Sequence, residues 1–257
     1  MRRINRAELV NEQNKNQDNW TATGSNSIDL DGDKSNMIYN GITDTLKVNG
    51  EEILTNSIVN GYTSAIVFGE NGSLTLNNSI INGGVDEVSA TIKGSSSTDN
   101  LVLTNGTIIN GNIDLGAGAD KLSIDNTVQL NGDLLGGVGD DSLTFNSKGI
   151  STFGSEDDNN INIFNRVEEF ENINVATDVT LFESAEVVRS WSITIQKDCN
   201  LVLRIDSTNN NNHALSKNTG TISSEGGKLL LALNGVGEGE TISFGDTSLD
   251  ETMKGNE

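Results

Sequence analysis

The first chemistry this sequence offers comes from acidic residues returning at a fixed interval. Gly136-Gly137-Val138-Gly139-Asp140-Asp141-Ser142-Leu143-Thr144 fits the calcium-binding nonapeptide G-G-x-G-x-D-x-U-x at every fixed position, and Leu115 to Ser123 fits it except at the first glycine. A hard cation takes about six to eight oxygens, which aspartate carboxylates and glycine-loop carbonyls supply. The candidate metal ligands are therefore Gly118, Asp120, Gly137, Gly139 and Asp141, and calcium is the one cofactor the sequence suggests. Calcium rolls repeat the nonapeptide in tandem so that neighbouring loops share each ion, whereas these two copies lie 21 residues apart and leave half a site per copy. The rival expectation is a stack of Gly-Asp corners without an ion. Stacked Asp99, Asp120 and Asp141, if ionised, would repel by about 1 kcal/mol per pair at water-like dielectric. They must then splay into solvent, or be offset by a cation or a rung-to-rung amide.

Catalytic constellations are sparse. His213 is the single histidine, beside the polar run Asn209 to Asn212, and reads as a surface loop residue. The chain contains no G-x-S-x-G elbow and no subtilisin-like serine motif, so protease activity is not expected within it. Asp140-Asp141 or Asp157-Asp158 could supply paired carboxylates to a polysaccharide-active enzyme. Neighbours on a strand point to opposite faces, however, and the Asp157 region reads as a loop. Cys199 reads as an incidental thiol, and Trp191 with the phenylalanines as core plugs or stacking residues. No catalytic residue is assigned.

The elements that must position these groups are written in a repeat. Asp99-Asn100-Leu101-Val102-Leu103 returns as Asp120-Lys121-Leu122-Ser123-Ile124 and again as Asp141-Ser142-Leu143-Thr144-Phe145, each time 21 residues on. Ile92, Ile113 and Leu134 keep the same step. Each phrase alternates apolar with polar and ends in Asn, Gly or Asp, which is a half-buried strand followed by a turn. A unit this short cannot bury its apolar face alone, so copies stack, each strand pairing with its equivalent at roughly 4.8 Å. The expected fold is an all-β, single-chain parallel β-helix with about 21 residues per turn in its regular part and roughly eight to ten turns.

Earlier turns are looser. Leu54 to Gly61 matches Leu76 to Gly83 and, with one inserted residue, Leu103 to Gly111; Ser27 to Leu30, Asp44 to Val48 and Gly72 to Leu76 match the strand phrase of the regular region. Asn60, Asn82, Asn110 and Asn131 fall in register at corners, where asparagine tolerates left-handed backbone and its amides can bond from rung to rung. Residues 1–20 read as a loose polar lead-in, 21–245 as the coil and 246–257 as a loose charged tail.

Composition bounds the partners. The chain has 37 acidic against 16 basic residues, a net charge of -21, which repels nucleic acid and anionic membrane surfaces. One cysteine allows no internal disulfide, there is no proline, and no stretch approaches the roughly 20 apolar residues of a membrane span.

Gly116 to Leu122, Gly136 to Leu143 and Glu169-Phe170-Glu171-Asn172-Ile173-Asn174-Val175 together resemble the passenger regions of Gram-negative autotransporters, over about residues 40 to 245. That resemblance implies a right-handed parallel β-helix, secreted or held on the bacterial cell surface by type V secretion, with a membrane β-barrel in the full-length family. The sequence has neither a signal-peptide pattern nor barrel-like strands, so the reading is a passenger fragment that does not insert in a membrane. Its implied work is that of a stalk or adhesin whose partner is a host-cell or bacterial-surface protein or glycan. Three alternatives stand beside it: the stalk of an autotransporter serine protease, a calcium-stabilised roll, and a polysaccharide-active enzyme.

Overall fold

The computed structural model describes residues 18–22, 27–85, 88–125, 127–153, 166–181, 185–205, 213–233, 244 and 246–253. Strand after strand, the chain winds into a parallel β-helix with three walls. The first sheet holds Asp18–Ala22, Met37–Gly41, Ile58–Asn60, Ile80–Asn82, Ile108–Asn110 and Gln129–Asn131. The second holds Ile28–Leu30, Leu46–Val48, Ile66–Phe68, Ile92–Lys93, Ile113–Asp114, Leu134–Leu135, Arg166–Glu168 and Glu186–Val188. The third and longest runs from Lys34–Ser35 to Ser248–Leu249. One rung passes from second to third to first sheet, as in Ile66–Phe68, Ser73–Asn77 and Ile80–Asn82.

The pairing registers follow the sequence repeat. Leu101 sits over Leu74 and under Leu122, which sits under Leu143; Ile92, Ile113 and Leu134 form one file, and Leu54, Leu76 and Leu103 another. All these side chains are buried and join a single apolar core. Burying one such side chain contributes about 1.5–3 kcal/mol, so a coil only a few side chains wide gains its stability by repetition.

The phrases do not all lie on one wall. Gly72 to Leu76 pairs with the regular phrase at Asn100–Thr104, but Ile28–Leu30 and Leu46–Val48 belong to the second sheet. An apolar-polar-apolar triplet fits either wall, because both bury one face. Strand structure also enters both stretches expected to be loose: Asp18–Ala22 pairs with Met37–Gly41, and Ser248–Leu249 pairs with Thr221–Ser224 ahead of a 3-10 turn at Glu251–Met253.

Above the regular turns the cross-section changes. Ser142–Phe153 pairs with Asn172–Leu181 across a register shift between Asn146 and Ile150. The first half of Asn172–Leu181 then pairs with Ser192–Ile195 and the second half with Asn200–Ile205, so one long strand is answered by two shorter ones. The corner between those two uses Asp198 in left-handed backbone, φ 62°. Among the described residues the first sheet ends at Gln129–Asn131, and this straightened third sheet continues the wall.

Replacing Leu122 by Asp puts an unpaired carboxylate into the core and is expected to cost about 3–5 kcal/mol. Lys121→Ala, one residue earlier and outward-facing, should change stability by less than about 0.5 kcal/mol. Urea unfolding followed by far-UV circular dichroism measures both.

Candidate functional site

The aspartates singled out by spacing do come together, but facing inward. Asp99, Asp120 and Asp141 are fully buried at the corner between the second and third sheets. Each carboxylate accepts a hydrogen bond from the backbone N–H one rung earlier. Gly72 donates to Asp99 Oδ1 at 3.0 Å, Asp99 to Asp120 Oδ1 at 2.7 Å, and Asp120 to Asp141 Oδ1 at 2.7 Å. Glu171 continues the file by accepting from Asp141 N at 2.7 Å, and one corner further along Asn218 Oδ1 accepts from Ser190 N at 2.9 Å. The backbone amide is thus the partner that keeps these side chains in the wall, and they do not splay into solvent.

Burial disfavours the charged carboxylate. It raises the Asp99 pKa above its ordinary value and pushes Asp120 and Asp141 up to about 6. Nearby charges add to the rise, from Asp141 and Asp99 on the neighbouring rungs at Asp120, and at Asp141 from Glu171, the adjacent Asp140 and Glu169. The amide bonds pull the other way without cancelling it. The Oδ2 atoms of Asp120 and Asp141 are buried with no hydrogen-bond partner.

Glycine has its own reason to be at this corner. Ala117–Gly118 and Val138–Gly139 stack as a two-stranded parallel ladder, with Val138 N donating to Gly116 O at 2.8 Å. A Cβ on Gly139, at φ 156°, would collide with the Gly118 carbonyl, and one on Gly118 would lie 2.6 Å from Ser97 O. Close stacking therefore accounts for the glycines of the nonapeptide, and amide capping accounts for its aspartate. Among the described residues no group of three or more His, Cys, Asp or Glu side chains is arranged to hold a metal.

The other candidates do not converge. Asp140 is exposed and accepts from Asn172 Nδ2, while Asp141 points into the core, so this pair does not face one groove. Asp157 and Asp158 lie outside the described residues. Cys199 is half buried with its thiol pKa raised, first by burial and then by Asp178 and Asp198, so it is a poor nucleophile. His213 corrects the expectation of a surface loop residue. It is 1 % exposed, its Nδ1 accepts from Leu215 N at 3.2 Å, and its ring tilts against Phe244 with centroids 5.1 Å apart. The adjacent Ala214 and Leu215 are buried with it. Of the two readings of Trp191, core plug or stacking residue, its 66 % exposure removes the first.

The asparagine file is present as expected. Asn60 donates to Asn40, Asn82 to Asn60, Asn110 to Asn82 and Asn131 to Asn110, at 2.6–2.9 Å. The left-handed asparagines, however, are Asn36, Asn56, Asn71, Asn78 and Asn105, with φ 49–57°. A third file was missed by the sequence reading: Ser57 N donates to Ser79 Oγ and Ser79 N to Thr107 Oγ1. Its signal was a hydroxyl placed just before each apolar pair, in Ser57-Ile58, Ser79-Ile80 and Thr107-Ile108.

Neither a family profile, nor a curated protein, nor a solved structure matches this chain.

Because Asp120 and Asp141 bind protons more tightly folded than unfolded, the stability they contribute is full below about pH 4 and is lost as pH rises through about 6. The thermal midpoint should rise as pH falls from 7.5 to 5. Asp120→Asn, which copies the uncharged Asn218 arrangement, should stabilise the protein at pH 7.5 by roughly 1–2 kcal/mol and flatten that dependence. Scanning calorimetry across pH checks the sign. His213→Ala should cost about 1–3 kcal/mol by the same measurement, as a lost buried ring.

Proposed function

We propose that this chain is a non-catalytic, elongated β-helix that presents or mediates adhesion at a bacterial surface, in the manner of an autotransporter passenger. The observation that carries this reading is the use to which the ionisable corner residues are put. Asp99, Asp120, Asp141 and Glu171 each cap a backbone amide inside the wall, an employment that builds a rod and leaves these groups no role in chemistry on a bound molecule. The resemblance of Gly116 to Leu122, Gly136 to Leu143 and Glu169 to Val175 to passenger turns supplies the surface setting. A protein or glycan outside the cell is the partner class. The net charge of -21 argues against nucleic acid and anionic membranes.

In this reading the Gly-Asp corners carry no calcium. The corner carbonyls already accept backbone N–H groups, and the aspartates already cap amides. The calcium-stabilised roll is the second reading, favoured by one observation, the unpartnered Oδ2 atoms of Asp120 and Asp141.

Two measurements test the proposal. Small-angle scattering should give an elongated particle, and a compact one would sink the rod. Thermal unfolding in excess EDTA and in millimolar calcium should give the same midpoint. A calcium-dependent rise of several degrees would transfer the conclusion to the roll.

A further inference from the structure

The outer faces of the second and third sheets differ in chemistry. Outward positions of the second sheet are mixed in charge, with Asp29, Lys47, Lys93, Asp114, Arg166 and Glu186 among them. The third sheet, from Asn172 upward, offers two straight ranks of small uncharged groups. Asn172, Ser192 and Thr221 lie in one register file, and Asn174, Thr194 and Ser223 in the next. Between the ranks run the buried Ile173, Ile193 and Ile222, so the six polar side chains point outward together. Backbone geometry spaces them at about 4.8 Å along the coil and about 6.7 Å across it.

These groups are held in place. Thr194 and Ser223 share a hydroxyl bond at 3.2 Å, Asn172 Nδ2 donates to Asp140, and Gln196 Nε2 donates to Asn174 Oδ1 at 2.9 Å. A hydroxyl has one donor and two acceptor positions, and an amide has four sites in all, so each keeps capacity for an outside partner after its lateral bond. Fixed rotamers lower the entropy lost on binding. At the corner leading into this face stands Trp191, the residue before Ser192, held through its backbone by Glu171 and Thr221 and 66 % exposed. An exposed indole beside hydroxyls and amides offers an apolar plane next to hydrogen-bonding groups.

We propose that this face binds an extended neutral polysaccharide, with the apolar side of one sugar ring on Trp191 and sugar hydroxyls bonded along the Asn172–Thr221 and Asn174–Ser223 ranks. A neutral chain fits because the six rank positions carry no charge in a protein of net -21, which would repel an acidic polymer. The ranks run three rungs, about 10 Å, so the ligand is a segment of a chain lying along the coil and not a single sugar. This deepens the presenting-rod reading by naming its partner class, and rests on that reading for the face being non-catalytic.

Affinity electrophoresis of the full chain in gels containing dextran, mannan, laminarin or xylan, with alginate as the acidic comparison, tests it. The expected result is retardation by at least one neutral polymer and none by alginate. Trp191→Ala and, separately, Thr194→Glu should weaken that retardation by about tenfold or more, while Lys93→Ala on the second sheet leaves it unchanged. Far-UV circular dichroism checks that each variant is folded, and if Trp191→Ala is not, Thr194→Glu decides. Retardation by none of the neutral polymers, by alginate alone, or equally in wild type and Thr194→Glu overturns the proposal. Binding accompanied by new reducing ends would keep the face and overturn the non-catalytic reading instead.

Discussion

Everything in this molecule depends on the rung above or below supplying what a rung lacks. A parallel coil exposes backbone N–H and carbonyl groups along its whole length, and buried polar groups left without partners cost about 1–3 kcal/mol each. Along the straight walls the sheet ladders meet this requirement. At corners the ladder is interrupted, and side chains take over. Hydroxyls of Ser79 and Thr107 serve one corner and carboxylates of Asp99, Asp120 and Asp141 another, while the asparagines from Asn40 to Asn131 tie rung to rung by bonding side chain to side chain. Two chemistries solve one geometrical problem.

The carboxylate solution is the expensive one. An amide or hydroxyl accepts the same N–H without bringing a charge, as Asn218 does for Ser190. Asp120 and Asp141 also leave a second oxygen buried and bare, which is why burial dominates their proton affinity. The corner is tolerable because a neighbouring N–H favours the ionised form and offsets part of the cost of burial. Its dependence on acidity is the mark that this compromise leaves on the whole rod.

How much of this was legible in the sequence varied with the physics behind each signal. The coil and its registers were readable because a strand shows its buried face every second residue, and Leu101, Leu122 and Leu143 keep phase through two turns. The asparagine file was readable because identical residues recur at one corner. The fate of the aspartates was not, because the same Gly-x-Asp letters serve an ion between loops or an amide between rungs, and only the direction of the carboxylate separates them. The phrase at Leu46 did not name its wall, since two walls bury the same triplet. The burial of His213 and the exposure of Trp191 were not readable, for one reason. Burial of a lone residue depends on what packs over it, and nothing local in Asn212-His213-Ala214 or Ser190-Trp191-Ser192 carries that information.

The buried hydroxyl and carboxyl files share a direction. In each, the side chain of a later rung accepts from the backbone of the rung before it: Ser57 from Met37, Ser79 from Ser57, Asp99 from Gly72, Asp120 from Asp99, Glu171 from Asp141. At these two buried corners the coil is therefore a one-way object, in which each turn is finished by its successor. A chain emerging in sequence order lays each new strand on an edge already in place, and in doing so seals the corner that edge left open. Construction and completion then advance together from the first turn to the last, like courses of masonry in which every stone locks the one beneath.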